Sequence, residues 1–440
     1  SHENSAGMYA SDSNATNTAD GTITLTGSTG ANSGSAGIYG KLTSNATKAD
    51  YTILNQGQIQ LTSVTKNVGI YGQTDKSVSK TLILQNDNKI IIGAGSSESV
   101  GIFAVNEDAK NRTHNSVDKL KVINNNEITA NSEKSIGISA IKSTVDNSGT
   151  IVTSKEKSVG IFGEKATVTN NKTIEVNGQE SIGIFGKLGS EIKNVSTDEG
   201  IKVVGENSTG MYATDSGTTG ENTGKITLSG ENSTGMGAAD SASITNKNEI
   251  SGTVKNVIGM YGKGSGTNVT NMKNINLLKE NSTGIFTKDD AVAKNETGAN
   301  INLEEKNSVG IFGLASAAGK KIDLTNNGTV TLKGEGSTGI FASNVENPVG
   351  SGIYTGALTD SSIKNTGTIT LDAKKTVGIY TPKSNISKVG NIIMTNNAES
   401  SVAVYLSEEA KADASTGIID LKEKSQSRVA YYIKGTSATD

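Results

Sequence analysis

Cysteine and tryptophan are absent from the 440 residues, and proline occurs only twice. Without cysteine there is no disulfide framework and no thiolate metal site. Aromatic residues make up 4% of the chain and hydrophobic residues 33%, too thin a supply for a set of conventional compact cores. Arginine appears only as Arg112 and Arg428, and 41 basic residues face 44 acidic ones, a net charge of −3. That balance gives no cationic footprint for nucleic acid or anionic lipid. No run approaches 18 apolar residues, so no segment reads as a membrane-spanning helix. His2 and His114 are the only histidines. Multi-histidine metal sites are thereby excluded, and little is left for histidine-based acid–base catalysis. No cofactor or metal is expected.

Glycine, by contrast, is abundant, with 52 residues. Many of these glycines stand in one motif: "NSTGMYA" at 207–213, "NSTGMGA" at 232–238, "NSTGIFT" at 281–287, "NSVGIFG" at 307–313 and "GSTGIFA" at 336–342. The marker glycine falls at Gly7, Gly37, Gly69, Gly101, Gly137, Gly160, Gly183, Gly210, Gly235, Gly259, Gly284, Gly310, Gly339 and Gly378, and Ala403 and Ala430 extend the series. Between Gly137 and Gly339 the step averages about 25 residues, inside the range of solenoid repeats. A second segment, as in "NTGKITL" (222–228) and "NTGTITL" (365–371), opens on an Asn-x-Gly turn and then alternates polar with apolar residues. In 365–371 this puts Ile369 and Leu371 on the core face, with Thr368 and Thr370 in water. A third, shorter segment ends in asparagine, as in "ATVTN" at 166–170 and "ASITN" at 242–246.

Three short strands in about 25 residues cannot form an independent domain, but they can form one coil of a β-helix whose strands pair with their equivalents in the next coil. The expected fold is all-β: a single-stranded right-handed parallel β-helix, three strands per coil, about 16 coils. Ser1-His2 reads as a tag remnant, and the chain as a piece excised from something longer. Residues 3–440 read as one continuous elongated solenoid. Its longer coils span 7–137, regular coils 137–339, an insertion 342–362 and closing coils 363–440.

Alternation in "SVGIFG" (158–163) predicts Val159 and Ile161 on one face and Gly160 and Phe162 on the other, the ring covering the bare glycine backbone. All six phenylalanines and eight of the eleven tyrosines occupy the Phe162 position, which predicts an aromatic column. The recurrent asparagine is expected to take the left-handed corner and to bond its equivalent in the next coil.

Catalytic constellations are sparse. "GEGSTG" (334–339) fits G-x-G-x-x-G but is a repeat turn in register with "GENSTG" (230–235), lacking the strand–turn–helix setting of a dinucleotide site. "GLASAAGKK" (313–321) has the wrong spacing for a phosphate loop. The paired carboxylates of "KDD" (288–290), "EE" (304–305) and "EE" (408–409) sit beside strand ends, where solvated charge is the ordinary reading. No enzyme is therefore expected. Recognition is expected on projecting loops. The candidates are Glu107, Asp108, Lys110, Arg112 and His114 in 104–122, and Asn347, Pro348 and Tyr354 in 342–362, with lengthened turns at 40–54 and 72–86.

The units "NSVGIFG", "NSTGIFT" and "NTGTITL", repeated from Glu3 onward, resemble the passenger regions of large fusobacterial autotransporter adhesins. The Lys-, Asn- and Ile-rich, Arg-poor usage fits. The resemblance implies a secreted right-handed β-helix displayed outside a Gram-negative cell by a C-terminal β-barrel not in this chain. It implies a monomer that attaches to a host-cell protein, to a glycan or to partner bacteria. It supplies no binding residue. Two other classes remain: a polysaccharide lyase or glycosidase on the same fold, and a trimeric autotransporter head, whose "SVAIG"-type repeats are about half as long.

Overall fold

The computed structural model describes residues 5–26, 34–62, 65–75, 78–107, 119–197, 199–317, 319–343, 361–382, 384–407, 410–413, 417–422 and 427–434. The chain divides into two compact units, Ser1–Ile226 and Thr227–Asp440. Each is a right-handed parallel β-helix with three strands per coil, about 14 turns in all, and the described residues contain no α-helix.

In Ser1–Ile226 every marker glycine opens a strand of the first sheet, from Ala6–Ser11 and Ala36–Leu42 to Ile182–Lys187 and Thr209–Thr214. The asparagine-ended segments form the second sheet, from Asp50–Asn55 to Thr219–Asn222, and the Asn-x-Gly segments the third, from Thr22–Thr26 to Ile201–Val203. Thr227–Asp440 repeats the plan over six full coils, from Thr234–Ala239 to Asn391–Met394. The coils marked by Ala403 and Ala430 begin with Val402–Ser407 and Val429–Lys434 but lack a second-sheet strand among the described residues.

Register is strict because a slip of one residue would turn the core set outward. Val168 pairs with Val145, Ile174 with Ile151 and Ile161 with Ile138, and all are fully buried. Identical branched side chains thus stack coil upon coil, each contributing about 1.5–3 kcal/mol by burial. In the third sheet Ile369 and Leu371 are fully buried, as the alternation predicts.

The first sheet departs from simple alternation. Pairing runs Ile136 to Val159 and Ile138 to Ile161, passing over Gly137 and Gly160. Gly160 and Ile161 are both buried, whereas Val159 and Phe162 are both half-buried on the outer surface. The expected faces are therefore corrected: Val159 sides with Phe162, and the ring does not cover the glycine. A Cβ on Gly160 would stand 2.5 Å from the carbonyl oxygen of Gly183 and 2.9 Å from Ile174 Cγ2. Glycine is required because the backbone of the next coil presses in at that corner.

Asparagine likewise divides into two roles. The second-sheet asparagines form a buried ladder, each amide nitrogen donating to the side-chain oxygen of the next coil's asparagine. In Ser1–Ile226 it runs Asn17–Asn55–Asn86–Asn124–Asn147–Asn170–Asn194–Asn222 at 2.7–2.9 Å. In Thr227–Asp440 it runs Asn246–Asn271–Asn295–Asn326–Asn365 at 2.8–2.9 Å. It stops where the register shifts at Ile363/Lys364. The left-handed asparagines are others: Asn207, Asn232, Asn256, Asn281 and Asn307, at φ 55–59° in the corner before the first sheet. The serine two residues before the marker glycine forms a further ladder: Ser135, Ser158 and Ser181 each take the next coil's hydroxyl as acceptor for their backbone N–H, at 3.0–3.3 Å. Its sequence signal is the Ser of Ser-x-Gly.

Candidate functional site

The outer face of the first sheet is the most unusual surface of either unit. The residue before the marker glycine and the residue two after it lie on this face, so most coils add one β-branched or small side chain and one aromatic ring, with Ser139 and Gly237 in the ring position of two coils. In Thr227–Asp440 the rings of Tyr261, Phe286, Phe312, Phe341, Tyr380, Tyr405 and Tyr432 follow one another with centroids 4.7–5.5 Å apart. From Phe286 to Tyr380 they lie nearly parallel, at 6–14°. Strand spacing of about 4.8 Å brings one ring per coil into contact with the next.

In Ser1–Ile226 the column has two segments. Phe162, Phe185 and Tyr212 form one, with Lys187 Nζ 5.2 Å from the Phe162 centroid. Tyr9, Tyr39, Tyr71 and Phe103 form the other, with rings tilted by 41–66°. Between the segments stands Ser139. The tilted segment borders a groove of about 420 Å³, within the ~300–1,000 Å³ of small-ligand sites. Ala6, Ala36 and Val68 make its floor, Tyr39, Tyr71 and Phe103 one wall, and Ser5, Gly34 and Lys66 the other. Ala6 and Ala36 leave this column position short, where Val68, Val100, Ile136 and Val159 carry branched side chains in the coils that follow.

A polar relay backs the tyrosines. The Tyr39 hydroxyl donates to Gln73 Oε1 at 2.8 Å, the Tyr71 hydroxyl reaches the same oxygen at 3.4 Å, and Gln73 Nε2 donates to Glu107 Oε1. Burial pushes the Tyr71 phenol up to about 12 and raises that of Tyr39. Beside them Lys41 Nζ lies 3.3 Å from Asp75, and that hydrogen bond raises the lysine. Glu107 is thus the one loop candidate brought to the groove's tyrosines; its backbone N–H donates to Thr74 at 3.0 Å. Asp108, Lys110, Arg112, His114, Asn347, Pro348 and Tyr354 lie outside the described residues. The turns of 40–54 and 72–86 are partly strand: Asp50–Asn55 and Thr81–Asn86 belong to the second sheet. Tyr51 is buried, its hydroxyl accepting the N–H groups of Thr47 and Lys48 at 2.9 Å.

The paired carboxylates serve corners. Asp289 accepts from the Ser316 N–H at 2.7 Å and its hydroxyl at 2.8 Å, and Asp290 from the Lys321 N–H at 2.8 Å and Lys320 Nζ at 2.9 Å. Glu304 accepts from Lys333 at 2.8 Å. Glu305 borders a polar hollow of about 450 Å³ with Glu231, Lys255, Lys279 and Glu280, where Glu231–Lys255 (3.5 Å) and Glu280–Lys306 (3.2 Å) are paired. Glu408 and Glu409 lie outside the described residues. Among the described residues no group of three or more His, Cys, Asp or Glu is placed to hold a metal.

A three-sheet parallel solenoid with buried asparagine and serine ladders and an outward aromatic column is a right-handed parallel β-helix domain. The family of the BigA third pectate lyase-like domain matches residues 33–252, half of the chain, and the chain belongs to that family. BigA is an autotransporter-type surface protein. No curated protein and no solved structure matches the chain.

Proposed function

We propose that this chain is a segment of a surface-displayed passenger that attaches a Gram-negative bacterium to host cells or other bacteria by non-catalytic binding. The observation that carries the reading is the aromatic column, half-buried rather than covered, on a solenoid whose buried asparagine and serine rows are paired from coil to coil. A contiguous apolar stripe on a soluble surface marks an interaction site. The membership of an autotransporter-type family supports display outside the cell, held by a β-barrel elsewhere in the protein. The repeat likeness to fusobacterial adhesins supports adhesion, with a monomer as the binding form. Contacts fall on the aromatic face, the Glu107 loop and the 342–362 insertion.

The test is competition. Purified chain added in excess should lower attachment of cells bearing the parent protein, and replacing 108–118 or 344–360 by a short turn, which spares the strands Val100–Asn106, Leu120–Asn124, Thr338–Ser343 and Ser362–Asn365, should weaken that inhibition while the melting temperature holds. No competition from the wild-type chain sinks the adhesive reading. A carbohydrate-active enzyme is the second reading, favoured by the lyase-like description of the family. Sugar release from acidic polysaccharide by the purified chain decides for it.

A further inference from the structure

We propose that the groove over Ala36 and Val68 binds a carboxylated pyranose, the sugar class of uronic and sialic acids. The inference rests on the adhesive reading and names a ligand for it.

Three features of the groove carry it. Its wall is made of tilted rings. The parallel phenylalanines of Phe286–Phe341 spend their faces on one another, whereas Tyr39 and Tyr71 meet at 46° and Tyr71 and Phe103 at 41°, which opens part of each face to a neighbour. A pyranose offers its axial C–H groups to such a face. The tyrosine hydroxyls are held on the far side by Gln73, which fixes the rings before a ligand arrives. The floor is shallow at this end, since alanine stands at positions 6 and 36, where the later coils of Ser1–Ile226 carry valine, isoleucine or, at Thr209, threonine.

Charge then selects within the sugars. Lys66 is the one charged side chain among the described residues lining the groove, and it is cationic. Its backbone sits at φ 58° in the corner before the first sheet, with its N–H donating to Ser97 at 3.0 Å. Glu98 approaches its ammonium only to 3.7 Å, leaving donor directions for a second carboxylate. A ring on Tyr71 with its carboxylate toward Lys66 satisfies both walls at once.

The test titrates the full chain with three probes, a galacturonate trimer, 3′-sialyllactose and lactose, by calorimetry and saturation-transfer NMR. At least one acidic probe should bind at least tenfold more tightly than lactose, and which one identifies the source as uronate polymer or sialylated glycan. Lys66→Gln should weaken that probe about fivefold or more and flatten its salt dependence. Ala36→Ile should abolish binding with the melting temperature held. Val68→Phe fills the same hollow from a half-buried position and replaces Ala36→Ile if that variant does not fold. The proposal is overturned if neither acidic probe binds, if lactose binds equally, or if the hollow-filling variants bind as wild type does. Acidic-sugar binding without cell attachment would defeat only the adhesive reading; attachment that survives Ala36→Ile defeats only this one.

Discussion

The side-chain amide of Asn124 donates to the side-chain oxygen of Asn147 at 2.7 Å, and neither residue is exposed to solvent. Asn147 in turn donates to Asn170 at 2.7 Å and to the carbonyl of Gly149 at 2.9 Å. Each rung satisfies a donor and an acceptor that no water reaches, so the ladder is self-consistent only while every member is present.

Asn147→Ala should therefore strand the amide of Asn124 and lose a donor to Asn170. With about 1–3 kcal/mol for each buried polar group left unpaired, the variant should lose about 2–4 kcal/mol in chemical denaturation. Asn125 accompanies Asn124 in sequence but is exposed, and Asn125→Ala should change stability by less than about 0.5 kcal/mol. Equal losses at the two positions would contradict the ladder's energetic role.

Gly160→Ala should destabilise by steric crowding. The added methyl meets Gly183 O and Ile174 Cγ2 at distances a carbon cannot occupy, and both belong to packed elements. The expected loss is about 1–3 kcal/mol. Gly298→Ala meets nothing within 4 Å and bears only the cost of φ +83°, about 1 kcal/mol. Denaturation midpoints of the two variants, measured side by side, separate crowding from backbone strain.

Acid should loosen the corner pairs of Thr227–Asp440. A hydrogen bond from Lys375 holds the Glu335 carboxyl below its usual range, and one from Lys374 does the same for Glu399. A depressed folded-state value means stability that is present above the unfolded carboxylate value, near ~4.3, and lost as pH falls through the folded one. The melting temperature should drop between about pH 5 and about pH 3, and the Glu335→Gln/Glu399→Gln double variant should show a smaller drop. Both groups are exposed, so the effect is also expected to shrink in high salt.

Alkali acts on the other side. Burial raises Tyr71 to about 12, with smaller contributions from Tyr39 and Glu107. Its folded form keeps the proton longer than the unfolded chain, whose tyrosines ionise near ~10, so stability should fall as pH rises between the two values. Tyr71→Phe should remove the last step of the tyrosinate absorbance titration and flatten that decline. If the last step persists in Tyr71→Phe, another phenol is the most buried.

Ring contact is measurable as coupling. Phe286 and Phe312 stack at 4.8 Å and 9°. A double-mutant cycle with leucine at both positions should return about 0.5–1.5 kcal/mol beyond the single losses. Additive losses would show that the column is spacing without attraction.

Much of this architecture was legible in the residues themselves. The recurrence of Ser-x-Gly-Ile-aromatic, the alternation of "NTGTITL" and the asparagine closing "ATVTN" each fix one strand, because a period of two and an apolar face leave one register in which Ile174, Ile151 and Ile128 can stack. Sequence also determined the aromatic column and its breaks at Ser139 and Gly237, since rings at one position of successive coils must come into contact at the strand spacing. What it could not decide was facing at the marker glycine. Alternation says that neighbours point to opposite sides, but the corner lets the pairing pass over Gly160, and only the position of Gly183's carbonyl oxygen reveals why. Nor could it separate the two asparagines, one buried in a strand and one at a left-handed corner, because both are the same residue near the same turns. The groove was decided by tertiary structure alone. Ala6 and Ala36 are unremarked small residues until the coils bring them beneath Tyr39 and Tyr71, with Lys66 across the hollow, since a cavity is made by side chains that are too short relative to neighbours far away in sequence.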